Sequence, residues 1–377
     1  MPTLTQAELE DLVDQNGIVG LTLDTTEFFH VGYNYETPSF KALGQFAGTN
    51  ITVIFSEVVL SEVRADVRDD IEKKKELVRT GLNQVSKAAR LGLDVQQLMT
   101  DLRLPDASAR SNELLDAFIN KIEGERILVD EGATSRKLHD LYFAAKPPFS
   151  KKAEKKSEFP DAMALLSLEH WAAEHGGMVL AVSGDGDWKR FAAESEYIIC
   201  VPQLAAALSL FNRSDAVVAG RLSANMAAGT AAQISHQIES ILETSVETFE
   251  IDASTHYYYE TEDEYATIDN WEIDENRFDV IDSDDESVTL AFTVSVSATF
   301  YANFSFEIKD GIDKDYITIG GNQASREKTF DLQLVVAVAR DDDGPDPDVL
   351  SIEAEGHPGS VNFGFVDIDF GDEPDFG

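Results

Sequence analysis

The chain has 377 residues, 43% of them hydrophobic, enough for two domains with cores of their own and too rich in apolar residues for bulk disorder. No stretch approaches the ~20 uninterrupted apolar residues of a membrane span, and the first 17 residues carry Glu8, Glu10, Asp11 and Asp14 where a secretory signal needs a basic start and an apolar run, so a cytoplasmic protein is expected. The formal net charge of −40 argues against nonspecific polyanion binding, so any nucleic-acid contact has to come from a local basic patch, from metal ions, or from both.

The charge is uneven. Residues 250–377 hold 33 acidic and 6 basic residues, whereas the first 249 hold 37 and 24, which argues for two parts with different jobs. The single cysteine, Cys200, allows no internal disulfide and no thiolate cluster; after Tyr197-Ile-Ile199 it is expected in the core.

Gly17–Leu23 is short, apolar and β-branched and predicts a buried strand ending at Asp24-Thr25-Thr26. Ile51–Phe55 predicts a second strand, with Ser56 as N-cap of a helix through Val58, Val59, Glu62, Val63 and Val67. Asp69 to Asn120 is expected to be mostly helical, with breaks near Gly92 and Pro105. A short strand at Ile127–Val129 and a helix from Ala133 to Tyr142 follow.

The segment Ala144–Pro160 is a loop by its prolines, and it holds Lys146, Lys151, Lys152, Lys155 and Lys156, the densest positive run in the chain. Such a run is either a solvated loop or a phosphate-steering patch. Pro160 suits the first turn of a helix from Asp161 that Gly176-Gly177 stops. Met178–Val182 predicts another buried strand, ending in Ser183-Gly-Asp-Gly-Asp-Trp188; Tyr197–Val201 and Leu204–Leu210 give a last strand and helix.

This alternation implies an α/β domain with a mostly parallel sheet, taken as residues 1–212. Residues 213–249, alanine-rich and then amphipathic through Ile234, Ile238, Ile241 and Leu242, are expected to form a helical connector. In residues 250–377 the apolar period becomes two, most clearly over Val288–Ile308, Tyr316–Ile319 and Phe330–Ala339. An acidic, antiparallel all-β domain with one solvated face is expected there.

In a parallel α/β sheet, sites form where strands end and helices begin. That rule gathers Asp24, Glu62, Asp161 and Asp185, with Asp187 beside them. Carboxylates brought together repel one another, and a buried set of four persists most readily around a divalent cation. Mg²⁺ and Mn²⁺ prefer such oxygens and activate water against a phosphodiester. The ordinary readings are a turn residue for Asp24, a surface acid for Glu62, a helix-dipole acid for Asp161 and Gly-Asp turns for Asp185 and Asp187. His139, His170 and His175 are scattered and predict no histidine metal site; Asp341–Asp348 lacks the closing glutamate of a calcium loop. Tyr257, Tyr258 and Tyr259 stand among acids and are expected as core or interface residues.

The motifs Leu23-Asp24-Thr25-Thr26, Val58-Val-Leu-Ser-Glu62-Val63, Pro160-Asp161-Ala162 and Val182-Ser-Gly-Asp185-Gly-Asp187-Trp188 together resemble the PIN-domain nuclease family over roughly Gly17 to Leu210. With its Lys146-Pro-Pro-Phe loop the chain looks like a larger, bacterial PIN-like subfamily. The resemblance implies that Asp24, Glu62, Asp161 and Asp185 bind Mg²⁺ or Mn²⁺, with Asp187 as a fifth. It makes Thr26 the hydroxyl beside the first acid and Ser183 the hydroxyl of the last motif. Thr26 stands where the family often has Asn, Trp188 where it often has Phe. The Glu62-to-Asp161 gap is long for a compact member, leaving a lid, a substrate arch or mere enlargement open.

The implied activity is a metal-dependent nuclease, with RNA favoured over DNA because most of the resembled family cuts RNA. Whether it serves as a toxin, a phage-defence effector or a processing enzyme stays open in the sequence. The acidic β domain would be a partner-recognition, self-association or restraining module. The alternative is a catalytically idle PIN-like scaffold whose β domain binds protein. A phosphatase of the HAD type, which also begins with a strand ending in Asp, would want a second Asp where Thr26 stands.

Overall fold

The computed structural model describes residues 4–149, 158–309, 316–340, 344 and 347–369. Lys151, Lys152, Lys155 and Lys156, and most of the Asp341–Asp348 loop, lie outside the described residues. The chain divides into two compact units, Met1–Phe211 and Asn212–Gly377.

In the first unit five parallel strands, β1 (Ile18–Leu23), β2 (Thr52–Ser56), β3 (Glu125–Ile127), β4 (Met178–Val182) and β5 (Ile198–Val201), lie in the order β3-β2-β1-β4-β5. The strands are short and apolar because helices cover them; Leu21, Leu23, Ile54, Phe55, Leu180 and Val182 are fully buried. The helices are α1 (Gln6–Asp14), α2 (Thr25–His30), α3 (Pro38–Ala42), α4 (Glu57–Ala88), α5 (Val95–Asp101), α6 (Ala107–Lys121), α7 (Val129–Gly132), α8 (Ser135–Ala144), α9 (Phe159–His175), α10 (Gly186–Glu194) and α11 (Leu204–Ser209).

Helix α9 lies close over the sheet. A Cβ on Gly20 of β1 would come within 2.8 Å of the Trp171 ring, so only glycine lets helix and strand approach this far. Helix α4 has 32 residues, ~48 Å at 1.5 Å per residue. Its buried side chains are Val59, Leu60, Val63 and Val67, all in its first third. Beyond them the helix carries charge pairs such as Lys74–Asp70 and Arg79–Glu76. The short strand expected at 127–129 instead spans Glu125–Ile127, and α8 starts two residues later than expected because the Thr134 hydroxyl caps it at the Lys137 N–H.

In the second unit β7 (Tyr258–Ser283), β8 (Ser287–Lys309), β9 (Tyr316–Ala339) and β10 (Val349–Glu355) form an antiparallel sheet in the order β10-β9-β8-β7. A separate pair, β6 (Glu250–Ser254) with β11 (Ser360–Phe365), is parallel. Along β8 alternate residues from Val288 to Phe306 are buried and the intervening Thr, Ser and Asn residues stay on the polar side. Residues 213–249 form α12 (Ala216–Ala227) and α13 (Ala232–Val246), whose Leu222, Ile234, Ile238 and Leu242 share one core with Leu290, Val294, Leu334 and Val336. A sheet with one apolar face has to be covered, and this amphipathic stretch covers it. Phe300, Phe304 and Phe306 continue the core against Val246, Val361 and Phe363. Tyr257 and Tyr259 pack against that core, while Tyr258 is exposed.

Candidate active site

Strand order reverses at β1: its own connection runs to β2 on one side, while β4 on its other side leads on to β5. Loops that leave neighbouring strands in opposite directions open a crevice at the carboxyl edge of the sheet. Leu23 and Val182 are register partners at that edge. Asp24 and Ser183, each the next residue, are therefore neighbours. The Asp24 N–H donates to the Val182 carbonyl at 3.0 Å.

Asp24 caps α2 and is 5% exposed. Its Oδ1 accepts the Thr25 N–H at 2.7 Å; its Oδ2 accepts the Thr26 hydroxyl at 2.9 Å and the Ser183 hydroxyl at 2.7 Å. The Ser183 Oγ in turn accepts the Asp185 N–H at 3.0 Å, so one hydroxyl ties the first acid to the loop of the last. Burial pushes the Asp24 carboxyl above its usual value; the Ser183, Thr26 and Thr25 hydrogen bonds pull it back, and the Asp185 charge adds to the rise.

Glu62 lies in the second turn of α4 and accepts the Thr25 hydroxyl on Oε2 at 2.8 Å. Burial raises its pKa against that hydrogen bond, and the charges of Asp24 and Asp66 raise it further. Asp161 lies in the first turn of α9, behind Pro160, and its Oδ1 accepts the Trp188 indole N–H at 3.0 Å. Its carboxyl is pushed up to about 7, first by burial, against the Trp188 hydrogen bond, and then by the charges of Asp24, Asp185 and Glu62. Asp185 caps α10 and accepts the Asp187 N–H. Asp187 is ion-paired with Arg190 one turn on.

Asp24, Glu62, Asp161 and Asp185 thus come from four separate elements and act on one another electrostatically. The two expected hydroxyls, Thr26 and Ser183, both fall on Asp24. Sequence reasoning missed Thr25, which joins the first acid's turn to Glu62, and the donor role of the Trp188 indole. It also missed Glu27 and His30 of α2. An Asp-Thr-Thr cap offered a signal for Thr25; an acid in a first helical turn, such as Glu27, reads as an ordinary dipole partner. Cys200 is half-buried; its thiol, pushed up to about 11 chiefly by burial, lies 3.6 Å from the Ser183 carbonyl.

Carboxylates and hydroxyls are hard oxygen donors, the chemistry that Mg²⁺ and Mn²⁺ take, and buried acids with raised pKa values gain most from a cation. The donor set fits such an ion in kind. Among the described residues, however, no three His, Cys, Asp or Glu side chains already converge as a ligand cage. Asp24, Glu62, Asp161 and Asp185 would be the residues to hold such an ion, which would supply the positive charge these acids lack.

No helix of the described residues is long and apolar enough to cross a membrane. No curated protein and no solved structure matches the chain. Residues 21–188, the span from β1 through the Asp185 loop, match the family model of the PIN domain. PIN domains are in general nucleases that act on nucleic acid with divalent metals. With its parallel sheet flanked by helices, the first unit has a PIN-like fold over the matched residues, and a strand-rich second unit follows.

Proposed function

We propose that the protein is a divalent-metal-dependent endonuclease that hydrolyses phosphodiester bonds at Asp24, Glu62, Asp161 and Asp185, with RNA as the favoured substrate. The observation that carries the reading is the mutual coupling of four carboxylates from four elements at the strand-order reversal of a PIN-like fold. Mg²⁺ or Mn²⁺, when bound, supplies charge for the phosphate oxygens and lowers the pKa of a water.

The chain's own residues do the rest. Asp24 and Asp185 are fixed relative to each other through Ser183, and Thr25 fixes Glu62 against Asp24's turn. Asp161, with its carboxyl lifted to about 7 in the absence of a cation, would release its proton as one binds. Trp188 orients it. The preference for RNA rests on what most of the family cuts.

The idle-scaffold alternative draws on one observation, the lack of a preformed ligand cage among the described residues. Calorimetric titration with Mn²⁺ separates the two readings. The nuclease reading expects binding with release of close to one proton at pH 6.5, because Asp161 has to ionise, and loss of binding in Asp24→Asn. No heat above dilution at millimolar Mn²⁺ supports the scaffold.

A further inference from the structure

Helix α2 carries a second pair of titratable side chains. Glu27, in its first turn, is 6% exposed, yet its Oε1 accepts no hydrogen bond. A glutamate three residues after an N-cap ordinarily reaches back to the cap's own N–H. Here that N–H, Asp24's, is already given to Val182. A buried carboxylate oxygen without a donor is costly, and a nearby positive charge offsets the cost.

His30, when protonated, supplies that charge. Its Nδ1 lies 3.6 Å from Glu27 Oε1, while its side chain stays 63% exposed. The groups acting on the imidazole are Glu27 and Asp24, both negative. The Glu27 carboxylate beside it, against some burial, holds its pKa above the ordinary value. The cations of α10 are engaged within their own turn, Lys189 on the Gly184 carbonyl and Arg190 on Asp187.

Asp24, Glu27 and His30 follow at three-residue steps, each a neighbour of the next along the helix. His30 stands ~9 Å along the axis from Asp24, within reach of a phosphate neighbouring one held at the acid centre. We propose that His30, held by Glu27, is a phosphate-contact position for the strand whose scissile phosphate lies at the acid centre. It touches a neighbouring phosphodiester and not the reacting atoms, so it positions substrate. The proposal rests on the nuclease reading.

The test is steady-state cleavage of a labelled single-stranded RNA by wild type, His30→Gln, His30→Lys and Glu27→Gln, across pH 6 to 8.5 and a salt series. NMR titration of the His30 ring, assigned by His30→Gln, runs in parallel. His30→Gln is expected to raise KM about fivefold, leave kcat within about twofold and lower the slope of log affinity against log salt by about 0.7. Wild-type KM rises with pH as His30 loses its proton, His30→Gln flattens that rise, and His30→Lys restores the low KM without it. Glu27→Gln lowers the NMR pKa. An unchanged KM and salt slope in His30→Gln, with wild type cutting normally, overturns the proposal, as does an unmoved NMR pKa in Glu27→Gln. If wild type cuts nothing, the nuclease reading itself has failed.

Discussion

Asp161 concentrates the electrostatic cost of the site. The folded state holds its proton more tightly than the unfolded chain, with the carboxyl lifted from 3.8 to about 7. A group of that kind contributes stability that is complete below its unfolded pKa and is lost as pH rises through the folded one. In EDTA the PIN-like unit is therefore expected to lose stability as pH rises from about 4 to 7, and so to be less stable at pH 8 than at pH 5. Asp161→Asn should flatten that loss and leave the variant more stable than wild type at pH 8. At about 1.36 kcal/mol per pKa unit the ceiling is several kcal/mol; sharing of charge among four acids and partial exposure bring the expected gain to about 1–2 kcal/mol. Urea titrations at both pH values measure it, and an equal pH slope in the two proteins contradicts it.

Elements place those residues, and here the sequence was informative unevenly. Asp24, Asp161 and Asp185 lie where a strand ends or a helix starts and Glu62 in the second turn of one, so apolar runs bounded by Asp24, Ser56, Pro160 and Ser183 mark all four positions. The hydrogen-bond donors were less legible. Thr25 and Trp188 matter because of what lies across the crevice from them, and no local pattern reports that. Glu27 is buried by tertiary packing alone. Strand β7 went unread because its acids and tyrosines hide the alternation of an edge strand, and α12 and α13 read as a connector because an amphipathic helix does not name what it covers. Helix α7 also shows packing invisible to pattern: a Cβ on Gly132 would lie 2.5 Å from the Leu166 carbonyl oxygen and 2.6 Å from the Ser167 Cα, both backbone atoms of the helix that carries Asp161. Gly132→Ala is expected to destabilise the PIN-like unit by about 1–3 kcal/mol in urea unfolding. A change below about 0.5 kcal/mol, the scatter of neutral surface substitutions, would show that α7 yields freely.

For the whole molecule, the charge asymmetry runs alongside a division into two units, the first burying Leu21, Leu23, Ile54 and Val182 and the second Leu290, Val294, Leu334 and Val336. The acidic bulk has no electrostatic pull on a polyanion, so the reading depends on the acid centre and the metal it would hold. The most direct measurement incubates wild type and an Asp24→Asn/Asp185→Asn double variant with labelled RNA, single-stranded DNA and duplex DNA in Mn²⁺, Mg²⁺ or EDTA. The account predicts that wild type cuts RNA with either metal, that EDTA abolishes cutting, and that the double variant is at least ~100-fold slower, the order of loss when charge stabilisation at a reacting centre is removed. Wild type that cuts no substrate with either metal, or a double variant that cuts as fast, would contradict it.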